Sequence, residues 1–258
     1  MMRLKVRRSG PDGKSVTYVT YDIDAAPGMT VLDALFEVQE SQDDSLGFRY
    51  SCRGAICGSC AMTINREIRL ACRTQLAGLA QAKPMNLRGF GALEARVEWE
   101  RASEVLVEPL PNLPVQKDLM VDLTKFFEAY RRIRPWMDAR EDGRGFSKMS
   151  PDDCARVEKY ANCILCAACF GSCPVCDKDP EYLGPAALAW SYRFIGDPRV
   201  KDLKDRLGLA SGREGAPDCE FVYNCVKACP KAVAPASAIR ALRDLMEGRG
   251  SRLKGQDL

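Results

Sequence analysis

Ser51-Cys52-Arg53-Gly54-Ala55-Ile56-Cys57-Gly58-Ser59-Cys60, followed after eleven residues by Cys72, carries four cysteines as C-x4-C-x2-C with a distant fourth. This is the plant-type spacing for a [2Fe–2S] centre. Cys52, Cys57, Cys60 and Cys72 are therefore its expected ligands. Gly54 and Gly58 are expected to let the backbone wrap closely round the cluster and aim N–H groups at its anionic sulfides. Hydrogen bonds of that kind raise a reduction potential.

A second run reads Cys163-x2-Cys166-x2-Cys169-x3-Cys173-Pro174. It is the bacterial ferredoxin pattern, in which the fourth cysteine ligates the other cluster of a pair. The other run is Cys219-x5-Cys225-x3-Cys229-Pro230, an internal repeat with Val222 standing where Cys166 stands in the first. Crossing the fourth cysteines assigns Cys163, Cys166, Cys169 and Cys229 to a [4Fe–4S] cluster. It leaves Cys173, Cys219 and Cys225 for the other site. A valine methyl cannot coordinate iron, so three thiolates predict a [3Fe–4S] cluster there.

Eleven of the thirteen cysteines are used in this way, and the chain has no histidine. A Rieske centre, a histidine-ligated haem, a mixed histidine–cysteine zinc site and a histidine general base are thereby excluded from this chain alone. Disulfide scaffolds and four-cysteine zinc sites also use C-x2-C pairs. Disulfides, however, suit a secreted chain, and Met1–Arg8 runs into Ser9-Gly10-Pro11-Asp12 with no apolar signal segment. A reducing compartment and electron transfer are the expectation. Of the two remaining cysteines, Cys154 is expected to be a small buried hydrophobe in a helix. Cys176, two residues beyond Pro174, is open between a fourth ligand, a lining residue of an acceptor pocket and an inert thiol.

The 258 residues suggest two domains, and 46% apolar with 28% charged residues is ordinary for a globular chain. A net charge of +3 with both signs interspersed gives no basic stripe for nucleic acid. No apolar run approaches the roughly eighteen residues of a membrane span.

Leu4–Val6 and Val16–Tyr21 alternate as paired strands around a turn-rich segment, and Thr30 with Asp33 forms a capping box opening an amphipathic helix over 30–42. Further strands are expected near Ala61–Ile64 and Arg96–Glu100. Three prolines in Pro109–Pro114 read as a stiff linker. Beyond it, helices are predicted at Leu123–Arg132, Pro151–Tyr160, Pro185–Phe194 and Pro235–Met246. The expected architecture is α+β. A [2Fe–2S] β-grasp plant-type ferredoxin domain covers 1–105 and a linker 106–120. An all-α bacterial-ferredoxin-like domain with the other two clusters covers 121–258.

In this order of domains and cysteine runs, the chain resembles the iron–sulfur subunit of succinate dehydrogenase/fumarate reductase. The resemblance extends to Pro109-Leu110-Pro111-Asn112-Leu113-Pro114-Val115-Gln116-Lys117-Asp118-Leu119, to Gly184-Pro185-Ala186-Ala187 and to Asn224-Cys225-Val226-Lys227-Ala228-Cys229-Pro230-Lys231. It implies a flavoprotein partner with covalent FAD that interconverts succinate and fumarate. It further implies membrane anchor subunits, with or without haem b, and a quinone at the partner interface. The chain would lie peripherally at the cytoplasmic face of the inner membrane and be inactive alone. The [2Fe–2S] ligands would sit nearest the flavin, the [4Fe–4S] ligands in the middle as the low-potential step, and the [3Fe–4S] ligands nearest the acceptor. Arg53, Lys227 and Lys231 stand beside ligands, where they would tune potentials or serve solvation and docking.

The chain departs from many quinone-linked members, which carry a tryptophan after the first cysteine–proline pair and a histidine after the first cysteine of the second run. Asp177-Lys178 and Glu220 hold those places, which makes Lys178 and Glu220 the candidate quinone-proximal residues. Fumarate-reducing and menaquinone-using relatives often lack the tryptophan, so the departure leans toward them. A related flavoprotein complex with a thiol or disulfide acceptor, and a soluble multi-cluster ferredoxin, are the alternatives. The CCG segments of the thiol-linked relatives do not occur here.

Overall fold

The structure, a computed structural model, describes residues 2–10, 15–79, 82, 85, 87–88, 97–138 and 148–249. The chain divides into two compact units, Met1–Leu123 with Ile164–Ser172, and Thr124–Cys163 with Cys173–Leu258.

The first unit is built on a mixed sheet. Its elements are β1 (Met2–Ser9), β2 (Val16–Ile23), α1 (Val31–Ser41), β3 (Ala61–Ile64), β4 (Glu67–Leu70), α2 (Leu76–Leu79) and β5 (Glu104–Glu108), followed by a small ribbon of β6 (Val115–Lys117) and β7 (Met120–Val121). The sheet order is β2-β1-β5-β3-β4, with β1 and β5 parallel and every other pair antiparallel. Period-two alternation in β1 buries Leu4 and Val6, which join Tyr21 and Ile23 of β2 in one core with Val31, Leu32, Leu35 and Val38 of α1. Thr30 opens α1 with the expected capping box. Its hydroxyl accepts from the Asp33 N–H at 3.2 Å, and the Asp33 carboxylate accepts from the Thr30 N–H at 2.9 Å.

One expected strand is misplaced in this unit and another was not foreseen. Residues 97–100 are not a strand, and Arg96 lies outside the described residues; the closing strand is β5, eight residues further on than the start of the expected one. β4 went unforeseen, because its hairpin turns on Asn65-Arg66, both left-handed, instead of the familiar Asn-Gly. The proline segment packs into the first unit. Glu108, Leu110 and Leu113 are buried, Thr63 donates to the Pro109 carbonyl at 2.9 Å, and Asn112 donates to the carbonyls of Phe170 and Gly171 at 3.0 and 3.2 Å. The first compact unit runs through this segment to Leu123 and takes in Ile164–Ser172.

The remaining elements are α3 (Thr124–Arg132), α4 (Pro151–Ala161), α5 (Ala168–Gly171), α6 (Pro174–Lys178), α7 (Gly184–Ile195), α8 (Leu203–Ser211), α9 (Asn224–Lys227) and α10 (Pro235–Met246). All but α5 belong to the second unit. There α7 is buried on nearly every side, packed by α3, α4, α8 and α10. Tyr192 meets Tyr160 of α4 edge-on at 5.3 Å. Buried Arg206 closes the unit by donating to the carbonyls of Arg134 and Trp136 at 2.7 and 2.8 Å. Cys154 is exposed, contrary to expectation. Cys154 is three residues before buried Val157, but it stands in the first turn of α4, where Pro151 and Asp152 are exposed as well. Among the described residues, no helix is long and apolar enough to cross a membrane.

Asp118 ties the first unit together. Its buried carboxylate accepts from the N–H groups of Ser9 and Gly47 at 2.7 and 2.8 Å and pairs with Arg8 at 3.1 Å. Arg8 also engages Asp43, Tyr21 and Ser45. Asp118→Ala leaves a buried guanidinium under-compensated and is expected to cost about 3–5 kcal/mol in denaturant unfolding. Hydrogen bonds from Ser45 and Tyr21, with Arg8, hold the Asp43 carboxyl well below the usual carboxylate range against a smaller opposing effect of burial. Its contribution is thus present above the unfolded value of about 3.9 and lost as pH falls through the depressed folded one. Asp43→Asn is expected to flatten that acid limb in unfolding measured against pH.

Candidate cluster-binding loops

The first cysteine loop is shaped by backbone strain as much as by its cysteines. Arg53 and Ala55 are left-handed, at φ 55° and 58°, so successive N–H groups turn inward as an anion-binding nest. The N–H groups of Gly54, Ile56 and Cys57 reach the Cys52 sulfur at 3.3, 3.3 and 3.2 Å, and that of Ala55 reaches the Cys72 sulfur at 3.3 Å. Burial opposes ionisation of Cys57, but hydrogen bonds from Cys52 and Ser59 outweigh it and bring the thiol down to about 6. Cys60 faces the core, where burial pushes its thiol up to about 12. A 3-10 turn at Ala71–Arg73, directly after β4, presents Cys72. Arg53 lies over the rings of Phe36 and Tyr50, at 4.7 and 5.4 Å.

The two ferredoxin-like runs repeat in backbone as well as in sequence. Leu165 and Ala167 flank Cys166 with φ of 52° and 60°; Phe221 and Tyr223 flank Val222 with 51° and 64°. Each run then enters a four-residue helix, α5 or α9, that carries Cys169 or Cys225 and ends just before a cysteine–proline pair. Val222 thus occupies the structural place of Cys166, not merely its place in an alignment of spacings. Cys166 and Cys169 belong to the first unit, and Cys163 and Cys229 to the second. Cys229 accepts from the Val233 N–H at 3.3 Å.

Within the second unit, Cys173, Cys219 and Cys225 line one cavity together with Val222, Tyr182 and Glu220. Hydrogen bonds from Cys176 draw the Cys173 thiol down, whereas burial pushes Cys219 up and Cys225 up to about 12. Cys176 is buried and does not line the cavity. Lys178 does not line it either; its ammonium pairs with the Glu220 carboxylate at 3.1 Å, both side chains being largely exposed. Two arginines of α10, which sequence reading took only as helix, fasten the Cys219 loop. Arg243 donates to the carbonyls of Ala216 and Cys219 at 2.8 and 2.9 Å, Arg240 donates to the Tyr223 hydroxyl at 2.6 Å, and both guanidinium groups lie over the Phe221 ring. Tyr182 was also missed, since a single tyrosine before a helix carries no spacing signal. Burial pushes its phenol far above the ordinary range, so it is a neutral O–H. That group reaches toward the Cys219 sulfur without completing a hydrogen bond.

Among the described residues, no three cysteine, aspartate or glutamate side chains converge on one point as ligands of a single ion would. An iron–sulfur cage asks for something else: thiolates standing round a volume, with N–H donors between them. The first loop and the second-unit cavity both supply that arrangement. None of the thirteen cysteines is in a disulfide.

Residues 3–128 match the family described as a 2Fe-2S iron-sulfur cluster binding domain, and residues 155–230 match a 4Fe-4S dicluster domain. Fold, loops and both matches define an iron–sulfur protein with a two-iron domain followed by a dicluster domain. The fumarate reductase iron-sulfur subunit of Haemophilus influenzae is 32% identical over 93% of this chain and 90% of its own length. The succinate dehydrogenase iron-sulfur subunit of Coxiella burnetii is 33% identical over 95% and 97%. A chain of the Mycobacterium smegmatis Sdh1 complex in the apo form shares the fold, with a TM-score of 0.79 at 24% identity over 96% of each chain. The chain belongs to the family of iron–sulfur subunits of succinate dehydrogenase and fumarate reductase.

The two glycines of the first loop separate sharply. Gly58 is left-handed at φ +76°, and a Cβ there would stand 2.6 Å from the Cys166 Cβ and 2.9 Å from its Cα. Gly54 has no such need, since its Cβ would meet nothing nearer than the Cys52 carbonyl at 3.6 Å. Gly54 serves the loop through its N–H to the Cys52 sulfur, and Gly58 through its lack of a side chain against Cys166. Gly58→Ala is expected to lose much of the bound iron and visible absorbance, whereas Gly54→Ala keeps both in the same assay.

Proposed function

We propose that this chain is the electron-transfer subunit of a complex that interconverts succinate and fumarate, linking the FAD of a flavoprotein to a quinone at membrane anchor subunits. On this reading the first unit is a β-grasp ferredoxin and the helical remainder a bacterial-ferredoxin-like domain. The chain sits peripherally on the membrane face through its partners. Cys52, Cys57, Cys60 and Cys72 hold a [2Fe–2S] cluster. Cys163, Cys166, Cys169 and Cys229 hold a [4Fe–4S] cluster, an assignment that rests on spacing. Cys173, Cys219 and Cys225 hold a [3Fe–4S] cluster. When bound, such clusters accept and release single electrons, while the two-electron chemistry stays with the flavin.

The protein's own part is positional. The nest at 53–55 and the Phe221 N–H aim at sulfur, the left-handed 165–167 and 221–223 segments shape the two ferredoxin-like loops, and Gly58 admits the first loop against Cys166. The α10 arginines fix the Cys219 loop, and the Lys178–Glu220 pair stands at the acceptor end. The chain itself offers no histidine, no flavin-binding glycine fingerprint and no recognisable dicarboxylate clamp.

The observation that carries this reading is Val222, left-handed neighbours on both sides, in a cavity with three cysteines where the sister loop presents a fourth. The purified protein is expected to contain about nine irons from the cluster types that the spacing implies. Val222→Cys restores a fourth thiolate and should add one iron while abolishing the paramagnetic signal of an oxidised three-iron centre. An unchanged iron count would mean that the site already had four ligands. Separately, the isolated chain should reduce no artificial dye with succinate, and activity should appear on adding the flavoprotein. Turnover by the chain alone would defeat the proposal.

A further inference from the structure

The cavity of Cys173, Cys219 and Cys225 contains a polar atom that the chain leaves unsatisfied. Tyr182 is only 2% exposed, its side chain lines the cavity, and its hydroxyl has no hydrogen-bond partner among the described residues. Phenylalanine would fill the same space without leaving a buried O–H unpaired, which is the costly case for a polar group. A hydroxyl in that position asks for a sulfur acceptor at the occupied site, and the Cys219 sulfur is the one beside it.

The walls offer an occupant few donors to compete with the phenol. Pro174 and Pro185 have no N–H to offer, and Val175, Val222, Ala236 and Ile239 present apolar side chains. The thiols already draw on backbone donors, with the Phe221 N–H at 3.5 Å from the Cys219 sulfur. In so apolar a setting a single side-chain dipole acts strongly, because little else screens it. Glu220, the charged lining residue, is engaged by Lys178 at the exposed rim.

We propose that the Tyr182 phenol donates an O–H···S hydrogen bond to the three-iron cluster or its Cys219 thiolate, and that this bond sets the potential of that cluster higher than its ligands alone would. The inference rests on the three-thiolate reading of the cavity. Reduction adds one electron to the cluster, the negative charge on sulfur grows, and the bond strengthens. The proton stays on the phenol oxygen throughout, and no atom is transferred. Hydrogen bonds to cluster sulfurs favour the reduced state for this reason. Tyr182 is accordingly a positioning and tuning residue, not a ligand.

The test is a redox titration of the native complex, following the paramagnetic signal of the oxidised three-iron centre. Tyr182→Phe should keep the iron content and the signal. Its reduction equilibrium should shift about tenfold toward the oxidised form, which for a one-electron couple is about 59 mV downward. An unchanged midpoint at full iron content overturns the proposal. A fluorinated tyrosine at position 182, a stronger donor of nearly the same size, should shift the midpoint upward; no shift, or a downward one, overturns it too. If the parent complex shows no three-iron signal at all, the cluster reading fails first and the role of Tyr182 falls with it. A merely structural tyrosine would change stability without moving the potential in opposite directions in the two variants.

Discussion

The closest constraint in the first unit is steric. At Gly58 the main chain of the first cysteine loop passes so near Cys166 that a single added methyl group would overlap both its Cα and its Cβ. Electron tunnelling falls steeply with distance, so a contact that admits no side chain is the physical means of keeping two cysteine loops adjacent. Other features of the unit hold that approach in place. Asn112 grips the carbonyls of Phe170 and Gly171, just beyond Cys169, and Gly171 lies close against Pro111 and Ile68. Asp118 binds the proline strap to β1 and to Gly47, upstream of the first loop. The strap is therefore a clamp that brings a segment from the middle of the chain onto the N-terminal sheet.

Strain is the second theme. Arg53, Ala55, Leu165, Ala167, Phe221 and Tyr223 are all left-handed without being glycine. Such residues cost of order 1–3 kcal/mol each where the surroundings do not compensate. Glycine would relieve the strain, but it would also remove side chains that the loops use. Arg53 covers Phe36 and Tyr50, while Phe221 and Tyr223 receive the two arginines of α10. The backbone holds a nest for sulfur, and the side chains that make it expensive also pin it from outside.

The sequence made the cysteine loops legible because ligand spacing is local, and it made α1 and α10 legible because caps and proline starts are local too. What escaped it was long-range. β5 was displaced from 96–100 to 104–108 because its place is fixed by pairing with β1 and β3, and a short apolar run does not announce its partners. Asn65 illustrates the same point. Its side-chain oxygen accepts from the Leu106 N–H at 2.8 Å, so the hairpin turn is defined by a strand forty residues away. Cys154 was misjudged from residue type, where the deciding fact was its place in the exposed first turn of α4. At Gly54 the expected N–H to sulfur is present, while the left-handed conformation falls on its two neighbours, Arg53 and Ala55.

In the second unit, the walls of the three-cysteine cavity differ in how firmly they are held. On one side, Arg243 bonds the carbonyls of the Cys219 loop from α10, whose Ile239 and Ala236 reach the cavity from the buried face of that helix. Tyr182 and Pro185 close another side at the start of the buried helix α7. The remaining side ends at the Lys178–Glu220 pair, and an exposed ion pair of that kind contributes only about 0–1 kcal/mol. Substituting either partner would therefore disturb the fold little, while the arginines and Tyr182 are bound into it. Lys178 and Glu220 are thus the part of this region least constrained by packing, and substitutions there leave the cysteines behind them in place.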